Sequence, residues 1–506
     1  MANTLFDAAR LWPRWQSASK DPPTAQQRAW ESIRPLLARG TFWPQLWGDD
    51  TVPPLHDFAP TDYSLYAKAI EGCFHETTSP LNGEPIIAWV RSSGSSGKAR
   101  LFPWTPTYRQ QYVDGSTLPL PMMEKMARLR GKAGGHLAMT TPTASRHSPA
   151  GVPIGYATTF TAANDGSIYP DEACSSVERI RWWRSCYALA TPVRSIMTTT
   201  CEPIFLMLQH FEEASDHYRA VLEGRKALPD DLPPLPLADE RRRYLLDRLG
   251  TGPLDLTDIW PELDFIHTWR AGAAGLQAER LQATTSESVR FIDLCYNASE
   301  GPIANPIAID EVGGPSLADS VVHEFLPQGA AGTADEILKA WELEEGGIYE
   351  VLLTTAMGVV RYRVGDLVQC TGHFHRMPKL RYHRRVHAEL SLGRCVFTED
   401  EVVTLLKHVP PPPEVDLVFG PSDDGRGLVL YTDRPLPAHD ITRMQDMLVA
   451  SNEPYAAKIA GELVQPLRQI VLDDPALWDG LRPAHAQSKR HVLLLEPPRA
   501  ISKESE

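Results

Sequence analysis

The sequence predicts an α/β fold: a large N-terminal part of β-sheets and helices, followed in the tail by a small, compact α+β unit. Three observations lead there. Apolar runs of strand length, such as 86–90 and 291–295, end in turn-forming residues. Longer stretches between them, such as 202–211 and 237–249, carry apolar residues at helical spacing. The tail then shows its own hairpin and helix signals in close succession, enough for a separate compact unit.

Taken in order, residues 1–80 read as helices and loops, with Trp30, Ile33, Leu36 and Leu37 on one helical face. The run Ile86-Ile87-Ala88-Trp89-Val90 and the run Leu101-Phe102-Pro103-Trp104 read as extended segments joined by a Ser/Gly turn. Residues 135–142 read as a short strand-like run ending in a turn. Glu202-Pro203 opens a helix, with proline in the first turn where its missing N–H is tolerated. A second helix ends at Gly250, and Thr333-Ala334-Asp335-Glu336 is a capping-box pattern that predicts a helix running to Gly346-Gly347. Residues 349–354 and 359–364 predict a hairpin over Thr355-Ala356-Met357-Gly358. In the tail, the capping box Thr398-Glu399-Asp400-Glu401 starts a helix, 415–419 and 428–432 form a hairpin, and helices follow near 440–450 and 455–463.

Composition narrows the function. Hydrophobic residues at 42% and charged residues at 23% fit a globular chain rather than a disordered one. With 64 acidic against 50 basic residues, net charge −14 and no basic stripe, nucleic acid is excluded as the main partner, while a local cationic pocket for a small anion is not. Seven scattered cysteines with no CxxC pair suit a reducing compartment and small buried thiols, not a disulfide framework or zinc site. Asp7, Arg10 and Arg14 interrupt any signal-peptide core, and no stretch offers the ~20 apolar residues of a membrane span, so a cytoplasmic protein with no membrane partner is expected.

Three motifs carry chemistry. Ser92-Ser93-Gly94-Ser95-Ser96-Gly97-Lys98 suits either a phosphate cradle, with hydroxyls and backbone N–H groups as donors, or a solvated linker. Its glycines are too close, and Ala99 is the wrong residue, for a P-loop. Tyr296-Asn297-Ala298-Ser299-Glu300-Gly301 offers a ring to stack on a base and a carboxylate to hold a phosphate-bridging metal; alone, it equally fits a packed strand end. Arg361-Tyr362-Arg363-Val364-Gly365-Asp366 places an aspartate at an expected strand end, able to accept both hydroxyls of a ribose, with flanking arginines to face phosphate. The alternative there is an exposed turn with a surface ion pair.

In this order, and with Tyr349-Glu350-Val351-Leu352-Leu353-Thr354-Thr355, Arg381-Tyr382-His383-Arg384-Arg385, Leu390-Ser391 and Ala486-Gln487-Ser488-Lys489, the chain from about residue 85 onward resembles the GH3 acyl acid amido synthetases, adenylate-forming ligases. The resemblance implies an adenylating N-terminal domain over residues 1–385 and a mobile α+β C-terminal domain over residues 386–506, hinged near residues 385–388. It implies ATP and Mg²⁺ as cofactors. Residues 92–98 would hold phosphates, Tyr296, Asn297, Ala298 and Ser299 would flank the adenine, Asp366 would grip the ribose, and Tyr382 would contact the nucleotide. Glu300 would place the metal, Arg385 would sit beside the nucleotide, and Lys489 would reach the α-phosphate. Glu300, Arg385 and Lys489 are thus the catalytic set. The implied partners are a small carboxylic acid and an amine, an amino acid above all, acting on a monomer. The acyl pocket is expected around Thr140, residues 151–159 and the turn 355–357, or else these segments simply pack. A thiol acceptor such as coenzyme A or a carrier protein, and a binding protein without catalysis, are the competing readings.

Overall fold

The structure, a computed structural model, describes residues 7–48, 51–92, 100–129, 134–139, 146–161, 167–317, 319–386, 389–392, 395–412, 415–424, 426–472, 474, 478 and 492–494. Two helices, Ala8–Lys20 and Pro22–Arg39, open the chain, capped by the side chains of Asp7 and Asp21. The apolar face of the second buries Trp30, Ile33, Leu36 and Leu37 in one core with Trp89, Phe102, Trp104 and Tyr362, bracing the back of the strands that form the site.

Strands β1 (Ala88–Arg91) and β2 (Leu101–Trp104) pair antiparallel, as the two apolar runs predict. After β3 (Gly135–Ala138), the short β4 (Arg146–His147) and β5 (Pro153–Gly155) complete the sheet β2-β1-β5-β4. Next come β6 (Val193–Met197), β7 (Phe265–Thr268) and β8 (Arg290–Asp293), which with β3 make a parallel sheet ordered β3-β6-β7-β8. Helices Glu202–Glu213, Asp239–Arg248 and Gly272–Ala283 lie in its crossovers; Ile196, Ile204, Phe211, Leu245, Ile266 and Leu281 share its core. Parallel strands deliver their C-terminal ends to one edge, where ligands of open α/β sheets bind. That edge feeds the hairpin β9 (Tyr296–Ala298) and β10 (Gly301–Ala304).

The third large sheet contains β11 (Gly314–Pro315), β12 (Val322–Pro327), β13 (Leu338–Lys339), β14 (Ile348–Thr354), β15 (Tyr362–Phe374) and β16 (Met377–Arg385), all antiparallel, in the order β11-β16-β15-β14-β12-β13. Here two expectations are corrected. The capping box at Thr333 forms, but it heads a single 3-10 turn, Ala334–Glu336, followed by β13 and a second such turn, Ala340–Glu342. The backbone of Leu338 and Lys339 pairs with Phe325 and Glu324 of β12, so the sheet edge takes the segment that the local signal assigns to a helix. The strand expected at 359–364 begins only at Tyr362, because Arg361 has a left-handed φ of 46°.

In the tail, β17 (Glu389–Leu392) and β18 (Cys395–Thr398) form a hairpin, and Thr398 caps helix Glu399–His408 as expected. β19 (Leu417–Pro421) and β20 (Gly427–Thr432) pair as expected, and β21 (Gln465–Val471) adds a parallel third strand. Helices Ala438–Ser451 and Glu453–Ala460 pack on this sheet through Met444, Leu448 and Tyr455. Ala273, on the helix before β8, joins the same core. All seven cysteines are free, six of them buried and Cys295 half-buried. Among the described residues, no helix is long and apolar enough to cross a membrane.

Candidate active site

The site assembles around Asp366. On β15 and β14 the ladder steps from Leu367 opposite Glu350 to Arg363 opposite Leu352, so Val364, Gly365 and Asp366 together face Val351. Gly365 holds a φ of 79° in this bulge, a conformation a side chain would resist. Asp366 therefore lies within a thirteen-residue strand and not at a strand end, a correction to the expectation. It is 3% exposed and directly opposite Arg385 of β16. Its Oδ2 accepts from the Tyr296 hydroxyl at 2.7 Å, and its Oδ1 lies 2.9 Å from Arg385 Nε as an ion pair without hydrogen-bond geometry. The Asp366 carboxylate raises the Arg385 pKa, and Arg385 Nη1 also donates to the Val364 carbonyl at 3.2 Å.

Two aromatic rings flank this clasp. Tyr296 and Tyr382 meet edge to face at 5.8 Å between centroids, and burial drives both hydroxyls well above their ordinary pKa. Behind Tyr382 stands Gly272, at the start of helix Gly272–Ala283 with φ 57°; a Cβ there would meet the Tyr382 ring at 2.8 Å. This helix follows β7, and Asp293 at the end of β8 accepts from the Arg270 and Gly313 backbone N–H groups, at 2.8 and 2.7 Å, fixing the connection. Burial pushes the Asp293 carboxyl up to about 6.

The second buried carboxylate is Glu300, 5% exposed in the turn of the β9–β10 hairpin. The turn is pinned by the neighbouring Ser299 carbonyl, which accepts from Tyr108 at 2.9 Å and from the Trp104 indole at 3.3 Å. Burial raises the Glu300 pKa, and Arg385 and Arg100 oppose that rise. Arg100 Nη1 donates to the Tyr362 hydroxyl at 3.1 Å, leaving that hydroxyl's own proton for Glu300. Ser92 and Arg100 close the base of the Ser/Gly turn: Ser92 N–H donates to the Arg100 carbonyl, and Arg100 N–H to Ser92 Oγ, both at 2.9 Å.

The structure thus brings together Ser92, Tyr296, Ser299, Glu300, Asp366, Tyr382 and Arg385. Ala298 pairs with Gly301 in the hairpin, and Asn297 turns its amide to Ser116 and Cys295, at 2.8 and 3.1 Å. Ser93, Gly94, Ser95, Ser96, Gly97, Lys98, Lys489, Thr140 and hinge residues 387–388 lie outside the described residues. Of the expected acyl pocket, Ala356 and Met357 are buried in the core with the N-terminal helices. The arginines expected to face phosphate do not. Arg361, 2% exposed, grips Glu324 with two bonds of 2.8 Å, and Arg363 grips Glu350 at 3.0 and 2.6 Å. Their carboxylate partners sit on β12 and β14, 37 and 13 positions earlier in the chain. Arg100 and Arg385 supply the site's cations instead. Tyr362, inside the third motif, is a further site residue that the motif's spacing marked without assigning it a task.

Comparison with known proteins places this geometry in context. The chain matches the GH3 family N-terminal domain over residues 39–191 and the GH3 family central domain over residues 315–385. A probable indole-3-acetic acid-amido synthetase of Oryza sativa subsp. japonica is 31% identical over 144 residues, covering 27% of this chain and 32% of that protein. An indole-3-acetic acid-amido synthetase of Arabidopsis thaliana is 24% identical over 231 residues, covering 42% and 37%. The aligned part thus spans about a third of the length of these curated relatives. Among solved structures, a GH3.15 acyl acid amido synthetase superposes with a TM-score of 0.76 at 16% identity, over 98% of this chain and 95% of that one. A 2-hydroxyisobutyryl-CoA ligase reaches 0.54 at 11% identity, over 100% and 95%. At these identities the likeness to solved structures is one of fold.

Proposed function

The chain belongs to the GH3 family, and from that premise we propose that it is an ATP-dependent acyl acid amido synthetase. It activates a small carboxylic acid as the acyl-adenylate, releasing pyrophosphate, and passes the acyl group to an amine, an amino acid, releasing AMP. The observation that carries this reading is the buried Asp366 clasp between two tyrosine rings, one Asp366 oxygen of which makes no hydrogen bond. A buried carboxylate oxygen that is ion-paired but accepts no hydrogen bond is what the hydroxyls of a ribose would complete. Tyr296 and Tyr382 would border the base, while Arg385 and Arg100 would face negative charge.

Magnesium fits the same site. Among the described residues, no cluster of three metal-ligating side chains exists, so Glu300 would be a lone carboxylate ligand. That suits a cation bound mainly through phosphates and water. When bound, it would neutralise phosphate charge as pyrophosphate departs. Glu300 must then ionise against the cost of burial, helped by Arg100 and Arg385. Lys489, carried by a mobile domain of residues 386–506, would add positive charge at the α-phosphate, and residues 92–98 would hold the outer phosphates. The surrounding rings exclude water that would otherwise hydrolyse the activated acid. The enzyme would act as a cytoplasmic monomer.

A screen of carboxylic acids by acid-dependent exchange of labelled pyrophosphate into ATP tests the first half-reaction. Mass analysis of products formed with amino acids or with coenzyme A tests the second. An amide is expected; a thioester alone would overturn the acceptor assignment, and absence of exchange with every acid would overturn the adenylation.

A further inference from the structure

An arginine pair outside the nucleotide clasp has no carboxylate partner among the described residues. β1 and β5 run parallel with Trp89 opposite Ile154 and Val90 opposite Gly155, so Arg91 falls opposite Tyr156. On the other side of β5, Arg146 of β4 lies opposite Ile154. Partners in register share a face, and so do residues two apart on a strand. Arg91, Tyr156 and Arg146 therefore project from one face of the sheet at the same end, beyond the buried Trp89. Burial raises the Tyr156 pKa, and the charges of both Arg91 and Arg146 act against it, consistent with that convergence.

Neither arginine makes an ion pair or hydrogen bond with another side chain among the described residues. The local sequence explains why: residues 146–161 contain no Asp or Glu, and Asp114 on the nearby helix Pro106–Ser116 is taken by Arg10 at 3.0 Å. In a chain of net charge −14, two guanidinium groups converging without a counterion among the described residues form a local anion trap. Arg109 holds the same segment in place, its Nε donating to the Phe160 carbonyl at 2.6 Å. Position matters too. Arg91 immediately precedes Ser92 at the base of the Ser/Gly turn, and Arg146 is exposed.

We propose that Arg91 and Arg146, with Tyr156 between them, form an oxyanion subsite that binds the carboxylate of the acceptor amino acid and so aims its amine at the activated acyl group. This rests on the amide-forming reading above. Arg100, Arg385 and Glu300 already serve the nucleotide and its metal in that reading, and the acceptor's carboxylate is the charged group they leave unmatched. The chemistry is that of a small oxyanion, so pyrophosphate is the other possible source.

The test compares wild type with Arg146→Gln and Arg91→Gln, using one amino acid that the wild type conjugates and its carboxamide, which carries the same amine without the charge. Arg146 is exposed, so its replacement does not threaten the core. Loss of one charge-assisted contact should raise the KM for the amino acid about 10–100-fold and leave the KM for the carboxamide within about twofold. Arg146→Lys should recover part of the loss. Equal effects on both acceptors, or none on either, would overturn the proposal. So would a raised KM for pyrophosphate in the exchange reaction with acceptor KM unchanged, which would assign the pair to pyrophosphate. Failure of the wild type to make any amide would instead overturn the underlying function, a result seen before any variant is made.

Discussion

Asp366→Asn separates the proposed nucleotide role of the clasp from its structural role. The substitution keeps the side-chain shape and one oxygen for the Tyr296 hydroxyl, now 2.7 Å from Oδ2, but removes the charge. In wild type the carboxylate is 3% exposed, and its ion-pair partner among the described residues is Arg385, at 2.9 Å. A hydrogen bond to a charged group contributes about 1.5–3 kcal/mol, so losing two ribose contacts should cost about 3–6 kcal/mol, or roughly 10²–10⁴-fold in kcat/KM for ATP. Leaving a buried partner unpaired costs about 3–5 kcal/mol, but the Arg385 side chain is 31% exposed and water can replace part of what it loses, so a stability loss of about 1–2 kcal/mol is expected. The assay is acid-dependent pyrophosphate exchange at varied ATP, with urea unfolding followed by circular dichroism. A folded variant with near-normal kcat/KM would refute the ribose assignment. A loss of activity fully accounted for by unfolding would refute the separation of roles.

Further outcomes follow from individual groups. Because burial raises the Glu300 pKa and a metal held there, as proposed, would need the ionised form, exchange should fall, on acidification, at a higher pH than the ordinary carboxylate value of about 4.3 would give; the pH profile of kcat/KM for Mg-ATP checks this, and Glu300→Gln should be inactive throughout. His323 is fully enclosed, its Nε2 donating to the Pro302 carbonyl at 2.9 Å, and burial holds its pKa down at about 4. The unfolded chain therefore takes up a proton as pH falls through about 6.5, while the folded chain does not until about 4; stability should decline across that window by on the order of 3 kcal/mol, and His323→Gln should lose this slope in urea titrations. Glu324→Gln deprives the 2%-exposed Arg361 of its carboxylate and should cost about 3–5 kcal/mol in unfolding free energy.

Local signals in the sequence located the site strands because their causes are local. The apolar runs on either side of the Ser/Gly turn pair as β1 and β2, and Gly365 marks the bulge that aims Asp366. What stayed illegible depends on partners remote in the chain. Arg361 and Arg363 look identical to phosphate-facing arginines until Glu324 and Glu350 are seen on neighbouring strands. The capping box at Thr333 is genuine, yet pairing of Leu338 with Phe325 outweighs it. β21 carries Gln465, Arg468 and Gln469 and lacks an apolar alternation, so only its partner β20 reveals it. Arg100 and Tyr362 meet across 262 positions, a juxtaposition no spacing rule encodes.

Charge balance at the site points to what the remaining chain must supply. Arg361 and Arg363 are neutralised by Glu324 and Glu350, which leaves, among the described residues, two buried carboxylates, Asp366 and Glu300, against two guanidinium groups, Arg385 and Arg100. Such a site is near neutral before any nucleotide arrives. Phosphates exceed the charge of one magnesium ion, and the demand for positive charge grows as pyrophosphate leaves. A further cation is therefore needed in the transition state more than in the bound complex. If Lys489 provides it, Lys489→Gln should lower kcat for pyrophosphate exchange about 10²–10³-fold while changing KM for ATP little, since an interaction made only in the transition state appears in kcat. Unchanged kcat would return that task to cations already beside the Ser/Gly turn, and a rise in KM alone would mean that Lys489 binds the nucleotide without assisting its cleavage.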